Sequence, residues 1–259
     1  MDLKELAINS GKKRHPWELV RIQVVRHFIS QCFTEKKDLT ILDVGSGDTF
    51  MIQQLSEKFD EASFFAVDTG YQVEYINRLN EEFELQNRKI KVFNELSGAA
   101  FTMQGEVDLV LLLDVIEHVP DDVEFLKTIN KLHSISDKTL FLITVPAFQW
   151  LFCSHDAFLG HYRRYNNRLL REKVRKADLN ISSMGYFFMV PLLFRFMEVV
   201  LEKLKLKKGR ETGIGGWNGN SVLTKFLFWT LKIDFSITRF FGKVGIKLPG
   251  LSNFAICKR

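Results

Sequence analysis

Apolar residues first fall into a helical rhythm at Pro16, where Trp17, Leu19, Val20, Val24, Val25, Phe28 and Ile29 recur at spacings of three and four. Proline is acceptable in a first helical turn because its missing N–H would have no partner there. Residues 1–14 are polar and read as frayed. Thr40–Val44 reads as a short strand ending in a glycine turn, and Met51, Ile52, Leu55 and Phe59 then mark a helix face. Ser63–Val67 is a second strand, followed by Asp68 and a helix carrying Ile76, Leu79 and Phe83. Ile90–Phe93 is a third. Residues 107–113 form a fourth, whose unbroken apolar character predicts burial on both faces, as a parallel sheet requires.

Asp121 and Glu124 predict a capping box for the helix bearing Phe125, Leu126, Ile129 and Leu132, and residues 139–145 read as a fifth strand. Strands alternating with helices at this rhythm argue for βαβ units in a doubly wound α/β sheet. After Pro146 the rhythm changes. Residues 147–165 read as an irregular loop, Asn167–Lys176 as a helix and 179–190 as a long strand. Helical patterns at 191–206 and 222–241 flank a Gly-rich basic linker, 207–220, and residues 252–257 read as a last strand. The second half therefore elaborates the first and does not form an independent domain.

At 259 residues the chain suits one large α/β domain with an embellishment, on a prior of roughly 150 residues per domain. A hydrophobic share of 46% with 26% charged residues excludes a disordered chain, and 5 Pro with 16 Gly excludes a collagenous one. Cys32, Cys153 and Cys257 are far apart, which excludes a disulfide framework or zinc finger and points to a reducing cytoplasm. The net charge of +5 is an ordinary solvated surface. Phenylalanine is more telling: of 24, ten follow residue 182, so the C-terminal region has an apolar task. The first twenty residues hold Lys4, Lys12, Lys13 and Arg14 without an apolar core, so no signal peptide is expected. No run of 18 uncharged apolar residues predicts a membrane span.

The strongest local signal is Asp43-Val-Gly45-Ser46-Gly47-Asp-Thr49, between a predicted strand and a predicted helix. Glycines let the backbone turn tightly and approach a ligand, and the helix start offers free N–H groups. Asp68 lies twenty-one residues beyond Gly47 at the end of the next strand, where a carboxylate can accept both hydroxyls of a ribose. Together they predict a nucleoside crevice. A dinucleotide fingerprint wants a third glycine where Phe50 stands, and that side chain would obstruct a pyrophosphate, disfavouring a nicotinamide oxidoreductase.

These residues resemble class I S-adenosylmethionine-dependent methyltransferases, of the kind grouped in the type 11, 12 and 23 methyltransferase-domain families. Asp43-x-Gly45-x-Gly47 is similar to their first motif, Asp68 to their ribose-binding acid, and the run from Asp108 through Asp114, Glu117 and His118 to Asp122 to their fourth-strand motif. The likeness covers about 39–190 and, through the closing strand, the C-terminus. One departure is Thr49, where many members carry a third glycine; it bears on cofactor affinity. The resemblance implies a seven-stranded Rossmann-like sheet of order 3-2-1-4-5-7-6 with strand 7 antiparallel. It implies S-adenosyl-L-methionine held by Asp43, Gly45, Ser46, Gly47, Asp68, Thr69, Asn94, Asp114 and Val115.

Glu117, His118 and His161 are the candidate catalytic residues. Three readings stand open. His118 has the chemistry of a general base toward an acceptor hydroxyl. Two carboxylates and an imidazole suit a divalent ion, and a Glu-His pair after strand 4 resembles the small-RNA 2′-O-methyltransferases and the ubiquinone-pathway O-methyltransferases. His161 falls where the RNA enzymes place a further histidine, whereas Asp114 is shorter than their first glutamate. Third, the cluster merely shapes the loop and contacts the cofactor. The assignment kept here holds no metal. His155 and His161 are expected to flank the acceptor, with Arg163 and Arg164 available to anionic groups or part of a solvated helix start. His15-Pro-Trp17-Glu18 and Arg21 are expected to cover the cofactor.

Residues 1–38 thus read as a helical cover and 39–259 as a methyltransferase domain with an apolar helical insertion at about 190–245. Segment 186–241 is read as a lid, a homodimer interface, simple packing on the sheet, or a peripheral membrane contact through its aromatics and the cations from Lys203 to Arg210. The function expected is O-methylation of a small-molecule, glycan or lipid-linked acceptor in the cytoplasm, at the inner face of the membrane. The chain is similar here to bacterial methyltransferases with the His-Pro-Trp-Glu start and the Gly-His-x-Arg-Arg-Tyr loop. An RNA 2′-O-methyltransferase using a metal and a non-catalytic S-adenosylmethionine-binding protein are the alternatives. Nucleic acid is disfavoured because no basic patch interleaved with aromatics extends beyond 161–165.

Overall fold

A computed structural model describes residues 14–103, 105–206, 217 and 219–259. The expected frayed start and most of the basic linker, including Lys207, Lys208 and Arg210, lie outside the described residues. Helix α1 (Pro16–Cys32) leads into β1 (Thr40–Val44), α2 (Phe50–Ser56), β2 (Ser63–Val67), α3 (Val73–Leu85), β3 (Ile90–Phe93), α4 (Leu96–Thr102) and β4 (Leu109–Leu113). A 3₁₀ turn at Ile116–His118 precedes α5 (Asp122–Asn130) and β5 (Leu140–Pro146). Then come α6 (Ser154–Leu159), α7 (Asn167–Lys176), β6 (Asn180–Phe187), α8 (Met189–Lys203), α9 (Ser221–Lys243) and β7 (Ser252–Lys258).

The seven strands lie in the order β3-β2-β1-β4-β5-β7-β6. The pairs β1–β2, β1–β4, β2–β3 and β4–β5 are parallel, and β7 runs antiparallel between β5 and β6. Successive side chains of a strand point to opposite faces, so a sheet covered on both faces divides its apolar residues between two cores. Ile41, Leu109, Leu111 and Leu142 enter one core with Ile52, Phe83 and Phe235, while Leu42, Val110, Leu112 and Ile143 enter the other with Ala99, Leu126 and Val174. The unbroken apolar run of β4 is thus explained by burial on both faces.

Local caps account for several boundaries. His15 accepts the N–H of Trp17 at 3.1 Å while Glu18 takes the N–H of His15 at 3.2 Å, so α1 begins at Pro16. Asp121 caps α5 by accepting the Glu124 N–H at 3.0 Å. Three expectations need correction. The loop 147–165 contains α6, started by Asp156 accepting the Cys153 N–H and ended by Gly160 in the left-handed region. Helix α4 was not anticipated, because Leu96–Thr102 is too short to show a period and carries Gly98. The sixth strand stops at Phe187, short of 190. There Phe188 adopts φ 69°, and buried Asp234 of α9 accepts the N–H groups of Met189 and Val190, starting α8 instead.

Candidate active site

A cavity of about 1040 Å³ opens at the carboxyl ends of the parallel strands, where open α/β sheets place ligands. The turn after β1 forms one wall. Gly45 sits at φ +75°, its N–H and that of Ser46 bind the Val67 carbonyl, and a Cβ on Gly45 would come within 2.6 Å of Val115 Cγ2. Asp68 staples this turn to the end of β2: its carboxylate accepts the Gly47 and Gly70 N–H groups, each at 2.9 Å. Gly45, Gly47, Asp68, Thr69, Asn94, Asp114 and Val115 all line the cavity. Asp43 and Ser46 stand behind that wall. Burial pushes the Asp43 carboxyl up to about 7, and the Ser46 hydroxyl is engaged with Tyr71 Oη at 2.7 Å. Thr49 occupies the left-handed region at φ 61° and is fully buried, its hydroxyl accepting from Gln53.

Helix α1 and its cap form another wall of the cavity, with His15 from the cap and Trp17, Glu18 and Arg21 from the helix. Arg21 pairs with Asp114 at 2.8 Å, and Thr144 donates to the other Asp114 oxygen at 3.1 Å. A helix outside the sheet is thereby locked to the end of β4.

The third wall carries the titratable groups. Tyr162 N–H donates to the Glu117 carbonyl at 2.8 Å, which draws the loop after α6 onto the 3₁₀ turn. His118 and His161 then meet edge to face with ring centroids 4.6 Å apart. Glu117 is fully buried, and neither carboxyl oxygen has a hydrogen-bond partner among the described residues. Burial, with the Asp114 charge nearby, holds this carboxyl well above its ordinary range. Asp156 behaves oppositely. Burial alone would raise it, but bonds from His161 Nδ1 and Arg164 Nε, both 2.8 Å, and from the Cys153 N–H hold it well below the usual range. An ionised carboxylate only accepts, so Asp156 makes Nδ1 of His161 the N–H nitrogen and leaves the lone pair on Nε2. His155, buried beside them, is pushed down to about 4 by burial and by Arg195, and is neutral at physiological pH. Ligand atoms of Glu117, His118 and His161 lie within 4.8 Å of one another. Two imidazoles and a carboxylate suit a divalent transition ion, and Asp156 holds the other ring nitrogen of His161, as carboxylates do for metal-ligating histidines.

The remaining wall is apolar: Val190, Pro191 and Phe194 from α8, and Leu227 and Leu231 from α9, with Arg195 among them paired to Glu198 at 3.4 Å.

A family model described as a methyltransferase domain, type 23, matches residues 17–183. The chain belongs to this family. Its members use S-adenosylmethionine, and the glycine turn, Asp68 and the cavity beside them fit that cofactor. Solved structures share the fold. A protein described as a sarcosine dimethylglycine methyltransferase from Galdieria sulphuraria is 12% identical, with TM-score 0.55 over 93% of this chain and 85% of that one. Coclaurine N-methyltransferase bound to N-methylheliamine and S-adenosylhomocysteine is 13% identical, with TM-score 0.54 over 92% and 72%. A mycolic acid cyclopropane synthase complexed with S-adenosylhomocysteine and CTAB is 12% identical, with TM-score 0.51 over 91% and 83%. Among curated proteins none matches in sequence. The protein is an S-adenosylmethionine-dependent methyltransferase with a seven-stranded Rossmann-like sheet.

Two arginines of the methyltransferase, expected to be available to anionic groups, are instead paired within the chain, although Arg164 lines the cavity. Arg163 is spent on the Val119 and Pro120 carbonyls and on Asp122, and buried Arg164 on Asp156 and the Ala147 carbonyl. Arg195 of α8 lies within the apolar wall. The Arg21–Asp114 lock and the role of Asp156 escaped the sequence reading. Asp156 and His161 are five residues apart across a helix end, a spacing with no fixed geometry until Gly160 reverses the chain.

Proposed function

We propose that this methyltransferase moves a methyl group onto a hydroxyl oxygen of an acceptor lying between the two-histidine wall and the apolar α8–α9 wall. The observation that carries the reading is the Asp156–His161 pair set edge-on against His118 at the cavity wall. S-adenosylmethionine supplies a methyl group already activated on a sulfonium, so the protein need only align and deprotonate its acceptor. Asp43, Gly45, Ser46, Gly47, Asp68, Thr69, Asn94, Asp114 and Val115 form the cofactor side, with Asp43 and Ser46 lying behind its wall. Nε2 of His161, oriented by Asp156, takes the hydroxyl proton, with His118 alongside. Glu117, whose carboxyl is held above its ordinary range by burial, completes this wall beside the two histidines.

The acceptor in this reading is a small molecule, a glycan or a lipid-linked molecule. The enzyme works in the cytoplasm at the inner face of a membrane, contacted through 186–241. No helix among the described residues is long and apolar enough to cross a membrane. The test uses methyl-labelled cofactor with lipid and glycan extracts. Label recovered as an O-methyl ether with wild type, and absent with His161→Ala, supports the reading. Label on nitrogen, or no turnover with any acceptor, overturns it, the latter in favour of a non-catalytic binding protein.

The 4.8 Å cluster favours a second reading, metal-assisted 2′-O-methylation of RNA. Turnover lost in chelator and restored by Mg²⁺ or Mn²⁺ would select it.

A further inference from the structure

Helix α9 presents two faces. Leu231, Asp234, Phe235 and Thr238 are buried against the body of the protein. On the opposite side Val222, Phe226, Trp229, Ile233, Ile237 and Phe240 are all exposed. At 3.6 residues per turn these six fall within a sector of about 80° and form a stripe about 27 Å long. Exposure of 64% at Phe226 and 56% at both Trp229 and Ile233 means that this stripe stays uncovered among the described residues. Along one edge of it run exposed Lys225, Lys232 and Lys243, with Lys232 Nζ lying 4.8 Å from the centroid of the Trp229 ring. No acid answers them on the helix, because its one carboxylate, Asp234, is buried and bound to the start of α8. Helix α8, packed beside α9, likewise exposes Leu193, Phe194, Phe196, Met197 and Leu201.

On both helices this exposed surface continues into the cavity. Phe194 is 60% exposed and also lines the cavity, and Thr230, a cavity residue, borders the stripe on α9. An apolar stripe with a cationic margin and an aromatic at the boundary matches the interface of an anionic bilayer. Two copies of the chain packed stripe to stripe would instead bring unanswered cations together.

We propose that the outer face of α8 and α9 docks on an anionic membrane surface, with Trp229 and Phe226 in the interface and the lysine row on the head groups. The site wall formed by Phe194 and Leu227 then opens toward the lipid. This deepens the proposed function by naming a membrane-borne, amphiphilic acceptor as its substrate class, and rests on that reading for the chemistry alone.

The experiment is co-sedimentation of the full chain with vesicles of phosphatidylcholine, with and without phosphatidylglycerol. Wild type is expected to pellet with the anionic vesicles and not with the neutral ones. Each cation near such a surface is worth about fivefold in partitioning, so Lys225→Gln, Lys232→Gln and Lys243→Gln together should weaken binding on the order of 100-fold. Phe226→Ser, Trp229→Ser and Ile233→Ser together should abolish it. All six positions are exposed, and titration with S-adenosylhomocysteine confirms that each variant is folded. Wild type remaining in the supernatant, or both variants pelleting like wild type, overturns the docking. So does a lipid-free dimer that the serine variant dissociates, which would assign the face to a second copy. Failure of wild type to bind S-adenosylhomocysteine would instead sink the proposed function and leave the vesicle result readable.

Discussion

Removing the Asp68 carboxylate should weaken cofactor binding before it harms the fold. An ionised carboxylate offers about four lone-pair positions, and two are occupied by the Gly47 and Gly70 N–H groups at 2.9 Å. Asp68 lines the cavity, and the proposed nucleoside placement gives the remaining two to the ribose hydroxyls. Asp68→Ala deletes both sets. Loss of charge-assisted ligand bonds costs about 1.5–3 kcal/mol, or about 10–150-fold in Kd. The two loop anchors are half-exposed and should cost stability about 1–2 kcal/mol, at the lower end for such bonds. Asp68→Asn keeps one acceptor oxygen and should fall between, near tenfold in Kd. Calorimetric titration with S-adenosylhomocysteine reads the affinity and thermal denaturation reads the anchors. An Asp68→Ala protein that binds within twofold of wild type would refute the placement of the nucleoside.

Gly45→Ala places a side chain at φ +75° and within 2.6 Å of Val115 Cγ2, so it should lower stability by about 2–4 kcal/mol, with partial recovery on adding Val115→Ala. Differential scanning of the single and double variants checks this. His161→Ala should cut turnover about 10²–10⁴-fold while leaving S-adenosylhomocysteine affinity unchanged, whereas a purely structural histidine would move both together. Asp156 is held below its ordinary range by hydrogen bonds from His161 and Arg164, and Asp122 by those from Lys173 and Tyr165 with the Arg163 charge nearby, despite the opposing effect of burial. The folded state therefore binds fewer protons than the unfolded one, and this stability is complete above about pH 4 and lost as pH falls further. A thermal midpoint that stays flat below that pH, or an Asp122→Asn variant with the same acid limb as wild type, would contradict it.

Much of the fold was legible because a parallel sheet buried on both faces leaves unbroken apolar runs, and 109–113 is such a run. The glycine turn and Asp68 were legible for a related reason: each depends on backbone geometry at the end of one strand. What sequence pattern alone could not show were contacts between elements distant in the chain. Arg21 reaches Asp114 across β4. Asp234 of α9, more than forty residues further along the chain, binds the N–H groups just past the end of β6. Arg163 and Arg164 look free in a basic stretch but are consumed by Asp122 and Asp156. Helix α9 makes the same point about its apolar residues. Phe235 and Phe226 are chemically identical, yet one is in the core and the other in solvent. Local composition determines that a segment is apolar and which period it follows; only the packing of α9 on α1 and the sheet decides which of its faces is covered, because burial belongs to the pair of surfaces and not to either segment.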